Sequence, residues 1–286
     1  MAQLLKGAET AKALTAQLQG DVAQLQAQQI TPCLAIVRVG AREDDLSYER
    51  GALNRCEKVG IAVRQVLLPE TVSQEQLLSE LHALNDDKAV HGVLLFRPLP
   101  KHLNDAEIRQ ALLPAKDMDG ITDGSLAAVY ADTAGGFPPC TAAACIALLK
   151  FNQIPLSGRR AVVIGRSLVI GKPVALLLLA ENATVTVCHS RSQNLESICK
   201  EADILVVAAG KAGMVGAEFV RPGQIVLDVG IHVDADGTLC GDARFAEVEP
   251  VVAAITPVPG GVGAVTTAIL ASHVVAAAQR TLEESL

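Results

Sequence analysis

Residues 160–173 read Arg160-Ala-Val-Val-Ile-Gly-Arg-Ser-Leu-Val-Ile-Gly-Lys-Pro173, and Val-Ala-Leu-Leu-Leu-Leu179 follows at once. The apolar, mostly β-branched residues 161–164 predict a buried strand. Gly165 predicts a sharp turn, residues 167–171 a loop, and Pro173 the first turn of a helix, where its missing N–H costs nothing. Strand, glycine turn and helix make the corner at which nucleotide folds bind phosphate, because free N–H groups and the helix dipole face an anion there. The spacing is Gly-x-Ser-x-x-x-Gly and departs from Gly-x-Gly-x-x-Gly. The motif alone therefore also fits a glycine-bearing β–α turn in another α/β domain.

Working outward, residues 183–188, 204–209 and 224–230 predict three more strands, with helices near 173–181 and 193–201. Strands alternating with helices in this way predict an α/β, doubly wound parallel sheet. The end of the second strand selects the cofactor. A carboxylate there would bind the ribose 2′-hydroxyl of NAD, but the chain reads His189-Ser190-Arg191-Ser192. Ser190, Arg191 and Arg166 offer donors and positive charge instead, which favours NADP over NAD. The alternative is a solvated polar loop.

Half of the 286 residues are apolar and 19% are charged, enough for a sizeable core in two domains or one large one. With no Trp, two Tyr and five Phe, a base-stacking surface is disfavoured. A net charge of −7 without a basic tract argues against nucleic acid and anionic membranes as partners. Seven cysteines form no C-x-x-C pair, which predicts reduced thiols in a cytoplasmic protein and no zinc site. No signal peptide or membrane-spanning run is read.

The first half carries its own alternation. A helix is expected over 7–28, a strand over 33–39, an acidic turn over 41–45 and a helix over 47–59. Then come a strand near 61–68, a helix near 73–84, a strand over 91–96 ended by Arg97-Pro98-Leu99-Pro100, and a short helix near 104–113. Pro114-Ala-Lys-Asp-Met-Asp-Gly-Ile-Thr122 reads as a polar loop, on its own terms a solvated turn. A linker continues through Gly135-Gly136 to Pro138-Pro139-Cys140-Thr141, and a bridging helix follows over 142–150. Thr256-Pro-Val-Pro-Gly-Gly-Val-Gly263 is too rich in Pro and Gly to be core structure. The final helix, from 266 to about 282, has an apolar face of Ile269, Leu270, His273, Val274 and Ala277.

Along its whole length the chain resembles the bifunctional methylenetetrahydrofolate dehydrogenase/methenyltetrahydrofolate cyclohydrolase family (FolD). The marks are Val39-Gly40, Arg97-Pro98-Leu99-Pro100, Lys116-Asp117-Met118-Asp119-Gly120, Pro139-Cys140-Thr141 and Val163-Ile164-Gly165-Arg166-Ser167. Cys188-His189-Ser190-Arg191, Asp228-Val229-Gly230-Ile231 and Gly241-Asp242 continue them, and Thr256-Pro-Val-Pro-Gly-Gly-Val-Gly263 is the most specific. The resemblance implies an amino-terminal folate domain over 1–121, a linker and bridging helix over 122–150, and a Rossmann domain over 151–265, with the active site in the cleft between the domains. It also implies a last helix, 266–286, that returns to the first domain, and homodimers formed through the nucleotide domain. It assigns the pterin contact to Asp119, ring stacking to Tyr48, and the folate border to Pro257, Pro259, Gly260 and Gly261. The cofactor contacts expected are Gly165, Arg166, Ser167, Ser190, Arg191 and Ile231, with NADP and no metal.

Two departures stand out. Four residues after Tyr48 the family has a catalytic lysine, and this chain has Ala52; Cys56 keeps the register. The family's supporting glutamine is Phe96, and the next leucine is Arg97. Arginine holds its proton at neutral pH, so Arg97 supplies charge but no proton shuttle. The expectation is therefore a dehydrogenase whose cyclohydrolase step is weak or lost, with a separate cyclohydrolase in the same cell. The alternatives are a fully bifunctional enzyme and a non-catalytic folate- or nucleotide-binding protein.

Overall fold

The computed structural model describes residues 2–234 and 236–283, so the end of the expected last helix, 284–286, lies outside the described residues. The chain divides into two compact units, Lys12–Cys140 with Thr267–Leu286, and Met1–Ala11 with Thr141–Thr266.

In chain order, β1 (Gln3–Leu4) comes first and its partner comes late. α1 (Gly7–Ala27), β2 (Cys33–Val39), α2 (Glu43–Val59), β3 (Ala62–Leu68), α3 (Gln74–Asp86), β4 (Gly92–Leu95) and α4 (Asp105–Ala111) follow. α2 starts earlier than expected, because Glu43, Asp44 and Asp45 form its first turn. Acidic side chains there complement the positive end of the helix dipole, so what reads as a polar turn is a helix start. Gly60 ends α2 in the left-handed region. Ser73 and Asn104 cap α3 and α4 by accepting the backbone N–H of Gln76 and Glu107. β2 lies between β3 and β4 in an all-parallel sheet, with Val37 opposite Val66 and Leu95. β2 and β4 are buried along almost their whole length, as expected of strands covered on both faces. Ala35, Val37, Leu77, Leu81, Leu84, Val93 and Ile108 pack into the core of this unit.

Residues 122–140 are not a plain linker. Thr122 caps α5 (Asp123–Ala131) by accepting the N–H of Ser125. A nine-residue helix whose apolar residues run together over 126–131 shows no three-to-four spacing, which is why α5 is missed in the sequence. α6 (Cys140–Phe151) follows.

The second unit holds β5 (Arg160–Ile164), α7 (Gly171–Ala180), β6 (Thr184–Cys188), α8 (Leu195–Lys200), β7 (Ile204–Val207) and β8 (Ile225–Asp228). A small antiparallel pair, β9 (His232–Val233) and β10 (Leu239–Cys240), precedes α9 (Phe245–Val248) and β11 (Ala254–Ile255). The sheet runs β1-β11-β8-β7-β5-β6 and is parallel throughout. Residues 3–4, assigned by the sequence to the amino-terminal domain without any strand, form β1 and pair Gln3 with Ala254 and Leu4 with Ile255. Two residues carry no readable period, so only the tertiary structure reveals this strand. Val162, Ile164, Leu205, Val207, Val226 and Ile255 form the core here. α10 (Thr266–Glu283) closes the described chain, and all seven cysteines are free.

Candidate functional site

Adjacent parallel strands release their loops at one edge of a sheet, and that edge is where open α/β sheets bind ligands. β5 and β6 are such neighbours, so the loop after Ile164 and the loop after Cys188 emerge together. Gly165 has φ +131°, and a Cβ there would collide with the carbonyl of Ala208; a Cβ at Gly171 would collide with the Gly165 carbonyl. Both glycines are required by this turn. Ser167 Oγ accepts the N–H groups of Ile170 at 3.1 Å and Gly171 at 3.3 Å. The corner is thus partly self-satisfied rather than a row of free N–H groups, and the serine hydroxyl hydrogen is what remains to donate. Arg166, Ser167, Ser190 and Arg191 are exposed, and neither arginine has an ion-pair partner among the described residues. His189 organises its loop, donating its N–H to Ser192 Oγ at 2.9 Å and accepting the Arg191 N–H at Nδ1, 3.2 Å. Two unpaired guanidinium groups and two hydroxyls suit a nucleotide carrying an extra phosphate.

Along the same edge, Asp228 accepts the N–H groups of Gly230, Asp242 and Ala243 at 2.9–3.1 Å. Asp242 accepts those of Gly210 and Lys211, and the Nε2–H of His232 at 2.7 Å. Thr256 Oγ1 receives the Asp228 N–H at 2.8 Å. Burial pushes the Asp228 carboxyl up to about 6 against the pull of its three N–H donors, with Asp242 adding to the rise. These carboxylates tie together the loops at 210, 230, 242 and 256. Their role is not legible beforehand; the only signal is the family's Asp-Val-Gly and Gly-Asp marks. One product is a cavity of about 250 Å³ that brings Ile231 together with Pro257, Pro259, Gly260 and Gly261. Gly261 is held closely there, since a Cβ on it would meet the Pro257 carbonyl.

In the other unit, Lys116-Asp117-Met118-Asp119-Gly120 is no solvated turn. Lys116 Nζ donates to the carbonyls of Leu84, Asn85 and Asp87 at 2.7–2.8 Å, capping the end of α3. Asp117 is buried and accepts the N–H groups of Ile121 and Thr122. Both are held by these backbone partners, whereas Asp119 is only partly engaged. Its Oδ1 accepts the Cys140 N–H at 3.3 Å. Burial, above all, pushes its carboxyl up to about 6; the Cys140 donors oppose the rise, Asp117 adds to it and Arg97 lowers it.

Tyr48 and Ala52 lie one helical turn apart on α2. The Tyr48 and Phe96 rings meet edge-to-face, centroids 5.9 Å apart at 78°. Ala52 is fully buried and Phe96 is 8% exposed. Arg97, where a substitute charge was conceivable, is engaged elsewhere: it grips Asp105 with two bonds of 2.6 and 2.5 Å, and Arg109 joins the same carboxylate at 3.1 Å. The Arg97 and Arg109 guanidinium groups hold the Asp105 carboxyl below its usual range. Behind α2, buried Glu49 pairs with Arg38 at 2.7 Å and takes Gln65 at 2.5 Å, which seats the helix on β2 and β3.

Two α/β units, one of them an all-parallel sheet with a glycine-bearing strand–helix corner, define the class of a two-domain protein with a nucleotide-binding fold. The chain belongs to the tetrahydrofolate dehydrogenase/cyclohydrolase family: the family's catalytic-domain model matches residues 5–119 and its NAD(P)-binding-domain model residues 139–282. It is 52% identical over 281 residues to the bifunctional protein FolD of Carboxydothermus hydrogenoformans, covering 98% of each chain. With the bifunctional protein FolD of Clostridioides difficile the identity is 50% over 275 residues, covering 96% of each. Among solved structures, the Campylobacter jejuni bifunctional FolD dehydrogenase/cyclohydrolase superposes with a TM-score of 0.94 at 35% identity, covering 98% of this chain and 100% of that one. The Trypanosoma brucei dehydrogenase-cyclohydrolase, solved with NADP cofactor and an inhibitor, gives 0.90 at 34% identity and 98% coverage of each. No helix among the described residues is long and apolar enough to cross a membrane.

Proposed function

We propose that this chain oxidises 5,10-methylenetetrahydrofolate to the methenyl form with NADP, and hydrolyses the methenyl product as well. The observation that carries the cofactor choice is the glycine–serine corner flanked by Arg166, Ser190 and Arg191, with no acid at the end of β6. NADP, when bound, supplies the hydride acceptor. The chain's own part in that step is alignment, because hydride leaves the methylene carbon under the push of a nitrogen lone pair and no proton moves. Asp119 accepts hydrogen bonds from the pterin, Tyr48 lies against its ring, and the loop of Pro257, Pro259, Gly260 and Gly261 borders the folate. The hydrolytic activity is supported by relatives that share half of the sequence and are named bifunctional. They favour the fully bifunctional reading over the expected loss of the cyclohydrolase.

One observation favours the loss. Hydrolysis needs water to add and surrender a proton, and a ring nitrogen to gain one, steps worth about 10²–10⁴-fold to a placed acid or base. Ala52 and Phe96 supply neither, and Arg97 is bound to Asp105. On that reading the methenyl form accumulates and the cell needs a separate cyclohydrolase. Separate absorbance assays of methylene oxidation and methenyl decay on the purified protein decide: decay above the buffer rate supports the bifunctional reading, and decay at the buffer rate removes it. A homodimer through the nucleotide domain accords with the exposure of Leu179 (57%) and Val187 (40%) on α7 and the edge strand β6. Sedimentation at a monomer's mass would remove the dimer.

A further inference from the structure

The Met118 peptide is fixed from both sides. Its N–H donates to Val93 O at 3.2 Å, in register with the bridge between Val93 and Asp117. Gly92 lets the Met118 side chain lie against β4, since a Cβ there would collide with it. The Met118 carbonyl accepts the His273 Nδ1–H at 2.8 Å and faces Cys140 Sγ at 3.2 Å, whose one hydrogen it shares with the Asp119 carboxylate. A carbonyl can only accept, so Nδ1 of His273 carries the hydrogen. Burial depresses the imidazole to about 4, and it is neutral at physiological pH; burial raises the Cys140 thiol well above its usual range, so it keeps its hydrogen. The His273 ring lies tilted at 35° against Phe137, centroids 5.0 Å apart, and Arg280 sits over the Phe137 ring at 4.3 Å. Gly120, at φ +62°, packs so closely on residues 137–139 that a Cβ would collide with them.

Asp119 lies between these two clamped peptides, and the Cys140 N–H holds its Oδ1. We propose that Cys140 and His273 are positioning residues for Asp119: by fixing the Met118 carbonyl they set the direction in which the Asp119 carboxylate meets its ligand. The proposal rests on the reading that Asp119 holds the pterin. A neutral, buried histidine on an otherwise apolar helix face then has a purpose that packing alone would not demand, because a Phe would fill the same space.

That contrast is the test. His273→Phe keeps the ring and loses the donor, whereas His273→Asn loses the ring and keeps an N–H near Nδ1. Steady-state assays should give His273→Phe a KM for methylenetetrahydrofolate raised about tenfold, the weight of one hydrogen bond, with the KM for NADP unchanged. His273→Asn should stay within about threefold of the parent. The reverse order, Phe normal and Asn impaired, overturns the proposal in favour of packing. Should His273→Phe give no cooperative melt, Cys140 decides: a folate-specific loss in Cys140→Ala that Cys140→Ser restores supports it, and a normal Cys140→Ala overturns it. Asp119→Ala separates the two levels. If it abolishes turnover while His273→Phe and Cys140→Ala are normal, only the positioning falls; if it turns over normally, the pterin assignment falls and the positioning with it.

Discussion

At the scale of single residues, the buried carboxylates set the pH behaviour. Asp119 is raised to about 6, chiefly by burial, so it is ionised and able to accept pterin N–H groups only above that pH. The KM for folate should therefore rise as pH falls through about 6, and Asp119→Asn should flatten the profile; a profile unchanged by that substitution would assign the titration to another group. The sign for stability is opposite. The folded state takes up this proton more readily than an unfolded chain, whose Asp titrates near 3.9, so the contribution of Asp119 to stability declines between about pH 4 and 6 as the pH rises. The second residue-scale expectation concerns Ala52. A lysine there would be desolvated and its pKa lowered toward neutrality. Ala52→Lys with Phe96→Gln should speed methenyl hydrolysis by at least about tenfold while hydride transfer stays the same. An unchanged hydrolysis rate would mean that proton transfer at this position is not limiting.

At the scale of elements, the loop after β6 and the last helix carry the expectations. Arg191→Ala should raise the KM for NADP about ten- to a hundredfold, the cost of one charge-assisted contact, and leave that for NAD nearly unchanged. Equal effects on both would remove Arg191 from the phosphate. In α10, His273 is depressed to about 4 by burial, with Met118 and Asp117 opposing and Arg280 assisting. Its folded pKa lies below the unfolded value of about 6.5, so its contribution is complete above that pH and is lost as pH falls toward 4. The shift corresponds to about 3 kcal/mol, and His273→Phe should make the melting temperature less sensitive to acid across that window. Equal acid sensitivity in both proteins would place the burdened group elsewhere. The long periodic elements were legible because their apolar spacing is their packing; β2 is found where 33–39 predicts it. α5 and β1 were not, since a nine-residue helix and a two-residue strand are held by a cap and by partners remote in sequence.

At the scale of the whole molecule, the nucleotide site is assigned to the unit that contains β5 to β8. Hydrogen exchange with saturating NADP should slow the amides of 160–191 and 204–231 and leave those of 33–95 near their free rates. Protection of 33–95 alone would contradict the assignment. The α/β alternation, the strand–glycine–helix corner and the family are legible along the chain, because each is written in neighbouring residues: periodicity, a glycine where a Cβ has no room, a proline–glycine loop. The family resemblance further implies that Ala52 and Phe96 stand where a lysine and a glutamine are expected. What Arg97, Lys116, Asp117 and His273 bind emerges only once the chain is folded. Asp105 claims Arg97, the end of α3 claims Lys116, and residues 121–122 claim Asp117. The Met118 carbonyl claims His273 from 155 residues away. A charged or polar side chain acts through the partner it reaches, and those partners are set by how the chain folds back on itself.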